Sequence, residues 1–475
     1  MGAGLLVVVA LTGCATPVPQ SLPAQMVPAS FASPAESQIW PDASWWEKFG
    51  DSELTTLVSK AQADNRDIAG ATARVLQARA QSAVQRSALF PQIGGGANFL
   101  NGGCRGQSCS TSTNSANNEV SFNASYGLDL WGLARSNLRT ANEQLKSTRF
   151  AAEAVTLSVT ANVATEYLNV LAIRAQIAVA NENIAAINSI TDIIKLRVKA
   201  GTTSHLDLAR EQAQIEDVEA RLAALQTLEK QALFSLAVLL GELPEGFDVK
   251  TQNLDGILSP EIGAGLPSEL LVRRPDIAQA EADLASAHAN VDAARAKFFP
   301  QISLTGQGGL VSTTISALLH TSNFGCDYGI TLLQTIFDGG NLRGQKRLAE
   351  ATQQQLVASY QSKVLNAYAD VEGALVEVTN TRTAEDHLRR AVDAAREAFQ
   401  ISQLQYRQGT TDLLTVLQAQ QTLFSARDQL AQATLANRQA AVHLYESLGG
   451  GWMESREDRT QFIRYRVHPS MRRSP

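Results

Sequence analysis

The stretch "EVSFNASYGLDLWG", Glu119–Gly132, alternates without a slip. Val120, Phe122, Ala124, Tyr126, Leu128 and Leu130 fall on one face; Ser121, Asn123, Ser125, Gly127 and Asp129 fall on the other. Successive side chains of a strand point to opposite faces, so the pattern predicts one amphipathic strand. It lies between two segments rich in Ala, Gln and Leu that read as long helices. Helices of that length cannot fold back over a small sheet, so something other than a protein core must cover the apolar face.

Working outward, the strand belongs to a plan that occurs twice. "LFPQI" at Leu89–Ile93 returns as "FFPQI" at Phe298–Ile302, and "KAGTTSHLDL" at Lys199–Leu208 as "RQGTTDLLTV" at Arg407–Val416. "VLLGELP" around Gly241 is matched by "ESLGGGW" around Gly449, and the three offsets are 209, 208 and 208 residues. The chain is therefore read as a duplicated unit, with repeats over 45–264 and 265–452. Each repeat is helix, strand pair, very long helix, tight turn, long helix.

In the first repeat a helix is expected over Leu54–Ala88, ended by Pro91, because proline disfavours helix at the residue before it. Strands are expected over Gln92–Leu100 and Val120–Trp131. A helix of roughly 100 Å follows over Leu133–Ala200, at 1.5 Å per residue, and after Gly201 another over Leu206–Leu240. The second repeat opens at "RRPDIAQAEADL", where Pro275 suits the first helical position and Asp276 the positive helix end. Its strands are expected near Ile302–Ser312 and Tyr328–Phe337, and its helices over Leu342–Gln408 and Leu413–Leu448. Val357, Val364, Val371 and Val378 recur every seven residues, with Tyr360, Tyr368 and Leu375 beside them. Such a stripe is a coiled-coil seam that demands a partner helix, so the long helices must lie side by side.

Composition narrows the function. The net charge of −6 and pI of about 5.7 leave no basic face for nucleic acid. No run of about 18 apolar residues is evident, so a helical membrane protein is not expected. At the N-terminus "GLLVVVALTGCAT" ends in Leu11-Thr12-Gly13-Cys14, the pattern of a bacterial lipoprotein signal over 1–14 whose cysteine, Cys14, is cut and acylated. No Lys or Arg precedes Leu5, so the signal is expected to begin upstream; the alternative is a buried apolar N-terminus with a chance cysteine. Ala15, rather than Asp, after the cysteine favours the outer membrane. Residues 15–44, rich in Pro, Ala and Ser, read as an extended tether, and 453–475 as an Arg-rich C-terminal tail without a counterpart in the first repeat. Export permits disulfides, and Cys104 and Cys109 share one Gly/Ser/Thr-rich loop where a local bridge is expected; Cys326 is left over. The six histidines are scattered, so no metal site is expected.

About ten alternating residues between turn signals is the mark of an outer-membrane barrel strand, apolar side to lipid. Four strands cannot close a barrel, since the smallest have about eight. An open sheet in lipid would leave edge groups unpaired, at several kcal/mol each. Two copies would give eight strands and a filled interior; three give twelve and a channel. A symmetric homotrimer is therefore expected, its helices continuing the barrel as a tube.

At this point the residues resemble a family. "WWEKFGDSELTTLVSKAQADNRDI" (Trp45–Ile68), "LFPQI", "YGLDLWG", "LLVRRPDIAQAEADLASAHANVDAARAKFFPQISLTG" (Leu270–Gly306), "FDGGNLRGQ" (Phe337–Gln345) and "YRQGTTDLLTVLQAQQTL" (Tyr406–Leu423) are similar to TolC-like outer-membrane factors, in the efflux lipoprotein (NodT-type) branch. The resemblance implies a mixed α and β fold. Long antiparallel helices form a periplasmic α-barrel, and each chain gives four strands to a trimeric twelve-stranded transmembrane β-barrel. It implies a lipid-anchored outer-membrane exit duct that docks a periplasmic adaptor and an inner-membrane pump and passes small molecules. No catalytic residue and no cofactor are implied.

The resemblance also implies a gate where the two helix–helix turns meet, at the turn glycines Gly201 and Gly409. The family's gate carboxylate falls on Asp207 and its gate tyrosine on Tyr406, with Thr410, Thr411 and Asp412 in the same turn set. Where family members carry Arg two past the second glycine and Asp six and nine past it, this chain has Thr411, Thr415 and Gln418. A gate held by inter-chain ion pairs is thereby in doubt. Read without the resemblance, Asp207 is a helix-start carboxylate and Tyr406 is seam packing. Asp207 from three chains, and Asp412 as a second ring, would favour cations.

No P-loop, HExxH, nucleophile elbow or paired zinc-ligand motif is present, so an enzyme is not expected. A coiled-coil structural lipoprotein would account for the acylation and heptads but not for matched strand pairs. A protein-secretion exit duct would share the architecture and differ in its partner pump.

Overall fold

The computed structural model describes residues 31, 40–99, 118–260, 262, 267–312 and 315–452. Cys14, most of the tether, the Cys104–Cys109 loop and the tail beyond residue 452 lie outside the described residues.

After a 3₁₀ turn at Trp45–Phe49 the order is α1 (Ser52–Asp64), α2 (Arg66–Ser87), β1 (Gln92–Phe99), β2 (Asn118–Leu128), α3 (Leu133–Lys199) and α4 (His205–Leu239). It then repeats as α5 (Pro267–Arg273), α6 (Pro275–Ala296), β3 (Gln301–Ser312), β4 (Phe324–Leu333), α7 (Asn341–Gln408) and α8 (Leu413–Ser447). The 67 residues of α3 and 68 of α7 make rods of about 100 Å.

Four sequence expectations need correction. The helix expected over Leu54–Ala88 is two helices. Asn65 is extended (φ −62°, ψ 133°) and its side chain accepts from the Asp67 and Ile68 amides at 2.8 and 3.1 Å. Its Nδ2 also donates to the Leu239 carbonyl at 2.7 Å, which fixes the break against the end of α4. The strand expected to reach Trp131 stops at Leu128, because Asp129 caps α3 by accepting from the Ala134 and Arg135 amides, both at 3.0 Å. The last strand spans Phe324–Leu333 rather than Tyr328–Phe337. It pairs along its whole length with Gln301–Leu310 of β3, and Asp338 caps α7 through the Gly340 and Leu342 amides. In both repeats, then, a strand is followed by a carboxylate that satisfies the first free amides of the longest helix. Contrary to the sequence reading, one 18-residue window of α3 is apolar enough by composition to cross a bilayer; α3 packs instead against α1, α2, α4, α6 and α8.

The recurring glycine landmarks have a steric cause. A Cβ on Gly241 would lie 2.5 Å from the Asp64 carbonyl oxygen, and one on Gly449 would lie 2.1 Å from the Arg273 carbonyl oxygen. Each glycine lets the end of a long hairpin abut the helix break of its own repeat. The Arg-Arg-Pro-Asp motif acts there too. Arg274 pairs with Asp276 at 2.8 Å and Asp370 at 3.2 Å and donates to the Ser447 carbonyl at 3.1 Å. Arg273 lies over the Trp40 ring, 4.9 Å from its centroid.

The three largest apolar clusters among the described residues hold the helices. One joins Trp45, Phe49 and α1 to the middle of α3, to α4 and to Tyr445 of α8. A second collects the heptad stripe Val364, Val371, Tyr368 and Leu375 against Leu270, Ile277, Leu444 and Leu448. The third lies at the far ends of the hairpins, around Ile190, Ile194, Phe399, Tyr406 and Val416.

Candidate functional site: the sheet and the helix tips

The four strands form one antiparallel sheet in the order β1-β2-β3-β4. Its ladder sorts the residues by face. Ala124 opposes Ile93 and Gly306, and Gly306 opposes Tyr328; Tyr126 opposes Leu304, which opposes Ile330. Facing the same way are Phe122, Leu128, Ile302, Phe324 and Leu332. The other face carries Gln92, Asn98, Ser121, Asn123, Ser125, Ser303, Thr305, Gln307, Asp327 and Thr331. Val311 and Leu333 also point to this second face, at the two ends of the sheet; elsewhere the register keeps the large apolar side chains on one side, and a register is specified by what each face meets.

The apolar face is bare. Ile93, Phe122, Tyr328, Ile330 and Leu332 are all exposed, Tyr328 at 95%. Cys326, a free thiol, stands on this face opposite Gly308. Beneath it Phe90, Trp131, Phe299 and Phe337 ring the sheet's lower rim, with Trp131 stacked on Phe299 at 4.9 Å and donating from Nε1 to the Pro300 carbonyl at 2.7 Å. An exposed apolar band above an aromatic girdle is the outer surface of a membrane barrel. β1 and β4 are the sheet's edges, each paired on one side only, and such edges persist in lipid only if another strand covers them.

At the opposite end the turns follow one design. Gly201 (φ 69°) and Gly409 (φ 74°) are left-handed, and the Thr202 and Thr410 amides each reach back at 2.9 Å to the carbonyl of the helix just ended, at Arg197 and Gln405. Ser204 and Asp412 then cap α4 and α8. Asp412 accepts from the Thr415 hydroxyl at 2.6 Å and its amide at 2.9 Å, and those bonds hold its carboxyl below the usual range. Asp207, half-buried, accepts from the Thr203 hydroxyl at 2.7 Å. Thr410 and Asp412 are exposed and Thr411 is half-buried.

Tyr406 is buried at 5% exposure in the tip cluster, and its partner is Arg197. Within one protomer Asp207 and Tyr406 are not joined: one is engaged by Thr203, the other by Arg197. Arg197 went unnoticed in the sequence, where a basic residue near a helix end reads only as dipole complementation. Among the described residues no group of His, Cys, Asp and Glu is arranged to hold a metal ion.

Comparison with known proteins agrees with this anatomy. The family model described as "Outer membrane efflux protein" matches residues 57–242 and 266–450. The chain is 34% identical to the pyoverdine export outer membrane protein OpmQ of Pseudomonas putida, over 93% of this chain and 95% of that one. It is 31% identical to the cation efflux system protein CusC of Escherichia coli O6:H1, over 94% and 98%. The crystal structure of the open state of the Neisseria gonorrhoeae MtrE outer membrane channel superposes with a TM-score of 0.83 at 29% identity, covering 92% of this chain and 98% of that one. With its bare apolar sheet, its two open edges and its long hairpins, this chain belongs to the outer membrane efflux protein family.

Proposed function

We propose that three copies join β4 of one to β1 of the next and close a twelve-stranded barrel. The hairpins α3/α4 and α7/α8 then continue it as a periplasmic tube. The duct takes small molecules from an inner-membrane pump through a periplasmic adaptor and releases them outside the cell. The observation that carries this reading is the sheet: four strands with two free edges, a bare apolar face and a polar face. Alternate up and down strands make the joining pair antiparallel as well, so the three-fold ring closes without a mismatch. Residues 45–264 and 265–452 act as the two repeats of each wall, and Cys14 as the lipid attachment that holds the chain at the outer membrane.

The gate is assigned to the tips. Gly201 and Gly409 form the turns; Asp207, Thr410, Thr411 and Asp412 line the approach; and Tyr406, clamped by Arg197, holds α7 to α3. With Thr411, Thr415 and Gln418 where ion-pairing residues would stand, closure rests on packing and hydrogen bonds. The duct itself performs no chemistry. Cargo of the kind named for the relatives, pyoverdine or cations, suits a barrel whose described strands carry no Lys or Arg and only Glu119 and Asp327 as charges. Planar-bilayer recording tests the proposal: purified protein should insert and conduct in uniform steps. Protein that binds vesicles without conducting would favour a structural lipoprotein instead.

A further inference from the structure

Glu211 lies on the stripe of α4 formed by Leu208, Glu211, Ile215, Val218 and Leu222, whose 3-4 spacing is that of a coiled-coil seam. The facing stripe of α3 is Ile184, Ile187, Thr191, Ile194 and Val198. Arg174 Nε donates to Glu229 at 2.7 Å, and the antiparallel register this sets brings Glu211 level with the turn of α3 that holds Thr191. Glu211 is wholly buried, at 0% exposure, and neither of its carboxylate oxygens has a hydrogen-bond partner. The hydroxyl of Thr191, 3% exposed, is likewise without one. This level is where the apolar cluster of the tube body, ending at Ile187 and Ile215, gives way to the separate cluster of the tip, beginning at Ile190 and Leu208.

Among the described residues no charge compensates the carboxyl. On α4, Asp207 is engaged by Thr203, and Arg210 points to solvent. On α3, Asp192 and Lys195 pair with each other at the surface at 3.3 Å, and Arg197 is held on Tyr406. On α8, residues 413–426 include no charged side chain. An ionised carboxylate in a dry seam without partners is strongly disfavoured, so the group either keeps its proton or draws in water.

Building on the channel reading above, we propose that Glu211 makes the α3/α4 tip hairpin responsive to pH. With its carboxyl protonated the seam packs and the tip stays closed. When the proton passes to water, the carboxylate needs hydration, the seam loosens at this level, and opening is favoured. Burial alone raises the Glu211 pKa from 4.5 to about 7. A carboxyl that holds its proton more tightly when packed than when hydrated supports the packed state fully at low pH. That support is lost as pH rises from about 4.5 to about 7 and then levels off.

The test uses the assembled wild-type channel and Glu211→Gln, with two readouts. Single-channel recording across pH 4.5 to 8 should show the wild type's open fraction rising by at least ~10-fold, the ratio that one pKa unit represents. Glu211→Gln should stay flat at the closed-like level. Hydrogen exchange, corrected for its intrinsic pH dependence, reads the seam itself and does not require conduction. Protection over 186–198 and 206–218 should fall across the same interval, while the α7/α8 tip serves as reference within the molecule. If the variant does not assemble, the wild-type exchange profile decides. A Glu211→Gln channel with the wild-type pH profile, or equal pH sensitivity in both hairpins, overturns the proposal. Loss of conduction with the exchange difference intact would refute the channel reading alone.

Discussion

Arg197 lies over the ring of Tyr406, its Cζ 4.3 Å from the ring centroid, and donates from Nη2 to the Tyr406 carbonyl at 2.9 Å. The first helix hairpin thereby grips the second one turn short of both tips. The grip uses the ring and the main chain. A cation over an aromatic face contributes about 0.5–1 kcal/mol at a partly exposed site, and burial of the ring adds to it.

Arg197→Ala and Tyr406→Ala should therefore each raise single-channel conductance, while Tyr406→Phe, which keeps the ring and carbonyl, should leave it near wild type. Asp207→Ala combined with Tyr406→Ala should raise it further, since the Asp207–Thr203 bond stiffens the first turn independently. Unchanged conductance in the double variant would remove the gate from these turns.

Charge at the tips predicts selectivity. Three copies place Asp207 and Asp412 around one axis, and the Thr415 bonds keep the Asp412 carboxyl ionised well into the acid range. Reversal potentials in a salt gradient should show cation preference, reduced by Asp412→Asn. No preference in the wild type would place both carboxylates away from the axis.

Neighbouring strand residues should respond oppositely. Ile330 faces the bare apolar side and Thr331 the polar side. Ile330→Arg should destabilise the folded barrel by about 2–4 kcal/mol if it sits near the bilayer midplane. Thr331→Arg should assemble normally and shift conductance. Urea titration of vesicle-inserted protein separates the two, and equal costs would contradict the face assignment.

Glu385 is the buried counterpart to Glu211 with the opposite pH behaviour. Burial disfavours its charge, but the Asn437 amide at 2.6 Å, Arg438 at 2.9 Å and Arg389 at 2.7 Å outweigh it and lower its pKa from 4.5. Its support is therefore complete above pH 4.5 and is lost as pH falls below that value. Glu385→Ala should cost about 3 kcal/mol at pH 7, because Arg438 is left buried without its carboxylate. Thermal melts at pH 7 and pH 4 should show the gap narrowing in acid.

Much of the fold was legible because two periodicities are hard to disguise. The 2-residue alternation of Val120–Leu128 and the 208-residue recurrence of the Gly-Thr-Thr turns located sheet and tips. The break at Asn65 was hidden, since a polar residue inside a helical pattern carries no signal comparable to proline. The start of β4 was misplaced because Gly325, Asp327 and Gly329 look like turn residues, although on a wet barrel face they are ordinary lining. In the tip, Asp207 and Tyr406 are singled out by resemblance alone, whereas Arg197 depends on a contact between helices 209 residues apart in sequence. Glu211 could have been noticed, because the Leu208–Ile215–Leu222 stripe places an acid at a seam position.

If this chain is one third of a closed barrel, the number of copies in the native assembly is decisive. Native mass spectrometry of protein extracted from the outer membrane in mild detergent should give a single assembly of three copies. A population of stable monomers or dimers, with β1 and β4 left unpaired, would show that the sheet does not close across three chains.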